Sequence, residues 1–108
     1  MSTPTIEQIH RHYSVRRYKP DPVPCDLVET IVAAGQRAST SSNLQAYSVV
    51  AVTSADRRAA LAELCGDQEG ILQAPVFLAW CADLSRLDRI CESRGYEQVT
   101  TSVESFLV

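Results

Sequence analysis

The residues best suited to chemistry form one short stretch near the N-terminus, which reads His12-Tyr13-Ser14-Val15-Arg16-Arg17-Tyr18. It supplies an imidazole, a small hydroxyl and two guanidinium groups. A guanidinium group can donate two parallel hydrogen bonds, so arginine suits a phosphate or the oxygen-bearing edge of a heterocycle. The stretch therefore indicates a site for a planar, anionic ligand. The alternative is a group of solvated charges where a helix meets a loop.

A second polar stretch covers residues 39–45, with the sequence Ser-Thr-Ser-Ser-Asn-Leu-Gln. Ser, Thr and Asn side chains compete for backbone hydrogen bonds, so they favour turns over helix. One interpretation is a plain loop between a helix and a strand. The other is a polar cradle whose hydroxyl and amide groups meet hydroxyl or phosphate groups of a ligand.

Two helices should position the first stretch. Thr3 and Pro4 are typical of a helix start, and Ile6, Ile9 and Tyr13 recur at helical spacing. A proline-rich segment over residues 19–24 then forces an extended linker. Apolar residues at helical spacing predict a second helix over residues 25–38, and they are Leu27, Val28, Ile31, Val32, Gly35 and Ala38.

The rest of the chain alternates strands and helices. Near-continuous apolar runs predict strands over residues 46–53 and 76–82, each buried on both faces. Helices are predicted over residues 54–65, with Leu61, Leu64 and Cys65 inward, over 67–73, with Ile71 and Leu72 inward, and over 83–94. Gly66 and Gly95 are stop signals. A further apolar stripe follows at Val99, Val103, Phe106 and Leu107.

Composition limits the class of protein. The 108 residues are 45% hydrophobic and 21% charged with a net charge of −3, which fits one globular domain and argues against nucleic-acid binding. We expect no leader peptide and no membrane span, because the longest apolar run, residues 74–82, is too short. The four cysteines match neither C-x-x-C nor a zinc pattern, and His10 and His12 diverge on a helix. We therefore expect no metal, reduced thiols packed in the core, and a cytoplasmic protein.

The predicted sheet is incomplete. Two strands of central character need neighbours, and a stable sheet usually has three or more strands. The chain is therefore interpreted as the front portion of a larger domain or as half of an intertwined assembly. Alternatively, a weak strand lies around residues 15–18.

Taken in order, several segments resemble the nitroreductase family of flavoproteins, above all its oxygen-insensitive NADPH nitroreductase and flavin reductase branch. They are Thr-Pro-Thr-Ile-Glu at 3–7, His-x-Ser-Val-Arg-Arg-Tyr at 12–18, Thr-Ser-Ser-Asn-Leu-Gln at 40–45, Gly-Asp-Gln at 66–68 and Phe-Leu-Ala-Trp-Cys-Ala-Asp at 77–83. The resemblance covers essentially the whole chain but only the first half of a family member. It makes residues 1–108 the N-terminal portion of a single nitroreductase-like domain.

The resemblance implies an α+β fold with a central mixed or antiparallel sheet flanked by helices, here incomplete. It also implies an intertwined homodimer with FMN at its interface. Hydride would pass from NADPH or NADH to FMN, and then to a nitroaromatic, quinone or flavin substrate in ping-pong fashion. No side chain is expected to act as the essential nucleophile, because the flavin carries the redox chemistry.

The resemblance also implies site residues. His12, Tyr13 and Ser14 match positions that bind the FMN phosphate and ribityl end, and Arg16 matches the basic residue at the ribityl chain and flavin N1/O2 edge. Gln68 matches an amide that bonds the pyrimidine edge. Thr40, Ser41 and Asn43 match positions on the loop that the family presents to the flavin of the partner subunit.

The match has departures. Tyr13 stands where the branch often has arginine, and Asn43 stands where some members have an apolar residue. The family's later glycine-bearing, lysine and arginine positions have no counterpart in these 108 residues, so FMN is expected to bind more weakly. Two alternatives remain. One is a truncated, non-enzymatic module for flavin binding or dimerisation, and the other is an unrelated small α/β domain that binds a phosphorylated ligand.

Overall fold

The structure is a computed structural model that describes residues 1–97. Within these residues the elements are α1 (Pro4–His10), α2 (Cys25–Gly35), a single 3₁₀ turn (Ser41–Asn43), β1 (Tyr47–Val52), α3 (Ala55–Leu64), α4 (Glu69–Gln73), β2 (Phe77–Ala82) and α5 (Ser85–Ser93). Each predicted helix and strand in this range is confirmed, with ends shifted by a few residues. The stripe predicted at Val99, Val103, Phe106 and Leu107 lies outside the described residues.

The first two helices begin as their sequences predict. Thr3 precedes α1 in an extended conformation, and its Oγ1 accepts a hydrogen bond from the backbone N–H of Ile6 at 3.4 Å. Pro4 occupies the first turn, where its missing N–H costs nothing. Pro24 immediately precedes α2, which ends at Gly35, three residues before the predicted end at Ala38. Between the two helices the chain has no regular structure.

The sheet of the described residues has two antiparallel strands. Tyr47 pairs with Ala82 at one end and Val52 with Phe77 at the other, and the connection between the strands contains α3 and α4. The α+β class is therefore confirmed, with an antiparallel pair among helices. The alternative of a hidden strand around residues 15–18 is wrong, because that segment carries no ladder hydrogen bonds.

Burial is much lower than the apolar runs predict. Within residues 1–97, Ala62 on α3 is the one hydrophobic side chain that is fully buried. Both strands are only partly covered, and Val50 and Trp80 remain about half exposed. The prediction of strands buried on both faces is therefore wrong for this part of the chain, since a two-stranded sheet has two open edges and little to cover its faces.

The inward face of α3 also differs from the prediction. Leu61 and Ala62 face inward, whereas Leu64 is 83% exposed and Cys65 is exposed. The helix ends at Leu64, so the last two residues predicted to face inward, Leu64 and Cys65, lie at the end of the helix, where the chain changes direction. The expectation of thiols as core filler is wrong too, because three of the four cysteines are exposed and Cys91 is half-buried.

A glycine brings α2 against the sheet. A Cβ added at Gly35 would lie 2.7 Å from Cη2 of Trp80, so only a hydrogen at that position leaves room for the indole. The ring of Tyr47, on the neighbouring strand, lies 5.7 Å from the Trp80 ring in a tilted arrangement. This contact fixes where the C-terminal end of α2 meets β2.

An arginine joins α3 to the segment before β2. Arg58 donates from Nη1 to the carbonyl oxygen of Leu72 at 3.1 Å and also to that of Ala74. Both acceptors lie at the C-terminal end of α4, where helical carbonyls lack intrahelical partners. The guanidinium therefore sets the direction in which the chain leaves α4 and enters β2.

Candidate functional site

A groove of about 590 Å³ lies beside the start of β2. Its walls come from the segment after α1, from α4 and from the chain leading into β2. Its apolar lining residues are Val15, Val23, Ile71, Ala74, Pro75, Val76, Phe77 and Leu78, and its other lining residues are Arg16, Tyr18, Gln68, Glu69 and Gly70. An apolar floor with a guanidinium and an amide at the rim suits a planar ring that has hydrogen-bonding atoms along one edge.

Two of the eight predicted site residues, Arg16 and Gln68, lie in this groove together. They are 52 positions apart in sequence, so only the fold could bring them to one place. The sequence assigned both to the flavin ring, Arg16 at the N1/O2 edge and Gln68 at the pyrimidine edge. The groove is compatible with that pairing.

Arg16 is positioned by the tyrosine two residues later. The hydroxyl of Tyr18 donates to the carbonyl oxygen of Val15 at 3.1 Å, which closes a tight loop around Arg16. The Tyr18 ring lies against Gly70 of α4, where an added Cβ would be 3.3 Å from Cε2 of the ring and 3.8 Å from the Arg16 carbonyl oxygen. The absence of a side chain at Gly70 lets the Arg16 segment approach α4.

Gln68 reaches the groove through a left-handed turn. Gly66 and Asp67 have φ values of 81° and 56°, and Gln68 then takes an extended conformation immediately before α4. Glycine adopts positive φ without strain, whereas Asp67 is one of the few residue types that tolerates it. Gly66, predicted as a stop signal and as part of the Gly-Asp-Gln segment, thus allows the turn that brings the exposed Gln68 to the groove.

His12, Tyr13 and Ser14 lie outside the lining of this groove. They follow the last turn of α1, where the backbone N–H of His12 donates to the carbonyl oxygen of Ile9 at 3.0 Å. All three are exposed, Tyr13 at 76%. Their predicted contacts with a phosphate and a ribityl chain therefore remain a prediction.

Residues 40–45 form a compact loop away from the groove. The prediction that this stretch avoids helix needs one correction, because Ser41–Asn43 forms a 3₁₀ turn. Ser42, Asn43 and Gln45 all have positive φ, between 50° and 53°. The side chain of Thr40 holds the loop closed, since its Oγ1 accepts from the Gln45 backbone N–H at 3.2 Å.

Thr40, Ser41 and Asn43 do not line the same groove as Arg16 and Gln68. Asn43 Oδ1 instead accepts from the Gln45 side-chain amide at 3.1 Å. The sequence placed these three residues against the flavin of a second subunit, and a single chain does not test that placement. Thr40 is half-buried, whereas Ser41 and Asn43 are exposed.

Asp83 carries the clearest electrostatic perturbation. It follows β2, and its carboxylate accepts hydrogen bonds from the Ser48 hydroxyl of β1 and from the hydroxyl and backbone N–H of Ser85, the last two at 2.6 and 2.9 Å. These donors, that of Ser48 first, lower the pKa of Asp83 to about 2. The Asp83 carboxylate thus links β1, the end of β2 and the start of α5 through hydrogen bonds.

The sequence missed part of the groove. The sequence predicts Tyr18 as the end of the basic stretch and places Gly70 inside the helix over residues 67–73. Of the apolar lining at residues 74–78, it predicts residues 76–78 as the start of a buried strand. A glycine inside a five-residue helix was the available signal, because glycine there lowers helix stability unless close packing requires it.

Two structural features are absent from residues 1–97. No set of three or more His, Cys, Asp or Glu side chains is grouped so that it could hold a metal ion. None of the helices in this part of the chain has both the length and the apolar character that crossing a membrane requires.

Comparison with known proteins adds independent information. A family model described as "Nitroreductase family" matches residues 9–103. The chain is 33% identical over 106 residues to an FMN reductase (NADPH) of Bacillus subtilis, covering 96% of this chain and 43% of that protein. It is 39% identical over 89 residues to an oxygen-insensitive NADPH nitroreductase of Salmonella typhimurium, covering 82% of this chain and 37% of that protein.

A solved structure agrees with these matches. The structure of Bacillus megaterium NfrA2 superimposes with a TM-score of 0.88 at 33% identity, covering 99% of this chain and 44% of that one. The chain thus spans about two fifths of the length of the relatives it matches. The alternative of an unrelated small α/β domain is wrong.

Proposed function

Because this chain belongs to the nitroreductase family, we propose that the protein is an FMN-dependent NAD(P)H oxidoreductase whose flavin ring binds in the groove between Arg16 and Gln68. One observation carries the proposal. Two residues that the family resemblance assigned to the flavin ring, Arg16 at the N1/O2 edge and Gln68 at the pyrimidine edge, are far apart along the chain and line a single groove. The names of two relatives, an FMN reductase and an NADPH nitroreductase, support the same chemistry.

The described residues fit a flavin ring. Side chains of residues 74–78 offer an apolar surface, and Arg16 and Gln68 add a guanidinium and an amide at its border. When bound, FMN would supply the hydride chemistry, accepting hydride from NADPH or NADH and passing it to a nitroaromatic, quinone or flavin. The residues of this chain would bind and orient the ring and exclude water from one of its faces.

Arg16 would also tune the flavin. Reduction adds negative charge near N1 of the ring, and a fixed guanidinium beside that edge stabilises the charge. Tyr18 and Gly70 hold the backbone of the Arg16 segment against α4, so the position from which the guanidinium extends is fixed by the fold. Glu69 also lines the groove, and its carboxylate would disfavour an anionic substrate at that side.

We further propose that residues 1–108 are the N-terminal portion of a single nitroreductase-like domain in a cytoplasmic homodimer. The partial coverage of the relatives supports the first part. The second part rests on the family resemblance, which assigns Thr40, Ser41 and Asn43 to the flavin of a second subunit. Contacts of His12, Tyr13 and Ser14 with the FMN phosphate and ribityl chain belong to the same proposal.

The first experiment is flavin binding. Purified protein should show a flavin absorption band, or it should quench the fluorescence of added FMN. With flavin bound, it should oxidise NADPH or NADH when a nitroaromatic or quinone is present. Parallel lines in double-reciprocal plots would support the ping-pong order. Protein that neither retains nor takes up FMN contradicts the proposal. FMN binding without any turnover favours the alternative of a non-enzymatic flavin-binding or dimerisation module.

A matched pair of variants tests the groove itself. Arg16→Ala should weaken FMN binding by about 10- to 100-fold, as expected for loss of a charged hydrogen-bond donor, and should lower the midpoint potential of bound flavin. Arg17→Ala removes the same charge from a neighbouring residue that does not line the groove, so it should have little effect on either quantity. Equal effects of the two variants would remove Arg16 from the site.

A further inference from the structure

The loop at residues 40–45 has an unusual backbone and receives a hydrogen bond from a distant side chain. This loop contains three residues other than glycine with positive φ, Ser42, Asn43 and Gln45. L-residues pay a steric penalty in that region, so such a conformation persists only where surrounding contacts impose it. Contacts within the loop and with neighbouring segments must therefore hold this conformation.

Most of the loop's hydrogen bonds are internal. The Asn43 N–H donates to the Thr40 carbonyl oxygen at 3.0 Å, and the Leu44 N–H donates to that of Ser41 at 3.1 Å. The Thr40 hydroxyl oxygen accepts from the Gln45 N–H at 3.2 Å. These bonds close the loop on itself, but they do not fix it relative to the rest of the molecule.

The contact from outside comes from α5. The Arg86 guanidinium donates from Nη2 to the carbonyl oxygen of Gln45, which also accepts the N–H of Tyr47 at 2.9 Å. Arg86 lies 41 positions further along the chain, in the first turn of α5. Among residues 1–97 it is the one side chain distant in sequence that hydrogen-bonds to this loop.

The start of α5 is itself anchored to the sheet. Asp83 accepts from the Ser48 hydroxyl and from Ser85, and its backbone N–H donates to the Ala46 carbonyl oxygen at 2.9 Å. The start of α5, which carries Arg86, is therefore tied through Asp83 to Ser48 of β1 and to Ala46, the residue before β1. Because Arg86 bonds to the Gln45 carbonyl oxygen, it ties Gln45 to this same region.

We propose that Arg86 is a positioning residue that holds the Gln45 carbonyl and thereby fixes where Thr40, Ser41 and Asn43 are presented to a bound flavin. This inference rests on the proposed function, since it concerns the same cofactor. Arg86 itself touches no part of the groove. Its effect on the flavin is indirect, through the backbone of residues 40–45.

The experiment compares Arg86→Ala with Arg89→Ala in otherwise unchanged protein. Arg89 carries the same charge one turn later on α5, and its Nε donates only to the Ser85 carbonyl oxygen within the helix. Arg86→Ala should speed amide hydrogen exchange at residues 43–45 about tenfold in flavin-free protein, while the β1 amides beyond Tyr47, whose own N–H shares the Gln45 carbonyl oxygen, keep their protection. Arg89→Ala should leave exchange at residues 43–45 unchanged.

A second measurement links the loop to the cofactor. Arg86→Ala should raise the Kd for FMN about tenfold, and Arg86→Lys, which keeps a charged donor, should return both exchange and Kd towards the parent values. If Arg86 only stabilised the fold as a whole, Arg86→Ala would instead speed amide exchange in β1 and in the loop together. That result, or unchanged exchange at residues 43–45, overturns the assignment.

The two proposals fail in different ways. Faster exchange in the loop with an unchanged FMN Kd means that the loop does not meet the flavin, which overturns the positioning role but leaves the oxidoreductase proposal intact. Parent protein that binds no FMN contradicts the oxidoreductase proposal, and the positioning role towards flavin fails with it.

Discussion

Replacing Gly35 by alanine should destabilise the protein, although the same change favours most helices. Gly35 is the last residue of α2, and an added Cβ would lie 2.7, 3.2 and 3.7 Å from three ring atoms of Trp80. The shortest of these distances is well inside van der Waals contact, so the indole or the helix must move. The ring also lies beside Tyr47, which restricts one direction of movement.

Two opposing effects decide the size of the change. Glycine to alanine in a helix gains at most about 1 kcal/mol, and less at the last position. Forcing an extra methyl group into a filled contact typically costs about 1–3 kcal/mol. Trp80 is half exposed and can yield in part, so the cost belongs at the lower end of that range. We expect a net loss of about 0.5 kcal/mol in the free energy of unfolding.

The molecule carries its own reporter, because Trp80 is the single tryptophan of the chain. Urea unfolding followed by tryptophan fluorescence gives the stability, and the emission maximum of the folded protein reports the displaced indole. Trp80→Leu serves as the matched background, with far-UV circular dichroism as the readout. In that background Gly35→Ala should be neutral or slightly stabilising, since the clash is gone.

The reasoning would be refuted by a Gly35→Ala variant that is more stable than the parent and has an unchanged emission maximum. An equal loss of stability with and without Trp80 would also refute it. The loss would then arise from the helix end and not from contact with the indole.

Two further predictions concern the links between elements. The pKa of Asp83 is depressed to about 2, so its contribution to stability is present above pH 4 and is lost as the pH falls towards 2. Asp83→Asn should therefore lower stability at neutral pH and flatten this acid dependence in denaturant titrations, whereas Asp21→Asn in the linker should leave the profile unchanged. Arg58→Ala should cost about 1–2 kcal/mol by thermal unfolding, because the carbonyl oxygens that it binds lose their donor. Arg57→Ala, next to it on α3, should cost under about 0.5 kcal/mol.

Local sequence signals predicted the elements well. Thr3 with Pro4, the proline cluster before Cys25 and the glycines at 66 and 95 mark element ends by their own backbone chemistry, which needs no tertiary information. Near-continuous apolar runs placed both strands within one residue of their observed ends.

Burial was predicted less well, for a physical reason. An apolar run shows that a strand can be buried, but coverage depends on neighbours that the pattern does not reveal. Trp80 and Val50 lie in apolar runs and are still half exposed. Leu64 fits the helical period of α3, but the helix ends there and its side chain is left in solvent.

The site was predicted in part. Resemblance proposed both Arg16 and Gln68, and the fold places them in one groove. No pattern could show that Tyr18 packs on Gly70, because that contact joins segments separated by two helices, a 3₁₀ turn and a strand. The bond from Arg86 to Gln45 was likewise invisible, since an arginine on a charge-rich helix is usually a solvated surface residue.

The strained residues of the 40–45 loop imply a trade-off for anyone engineering this protein. Glycine at position 42 or 43 would relieve the left-handed backbone and is expected to raise stability by a few tenths of a kcal/mol or more. At position 43 the same change would also delete an amide that, in the proposed function, meets the flavin of a second subunit. Thermostability gained in this loop should therefore come at the expense of flavin affinity, and robust variants are better sought in α3 or α5.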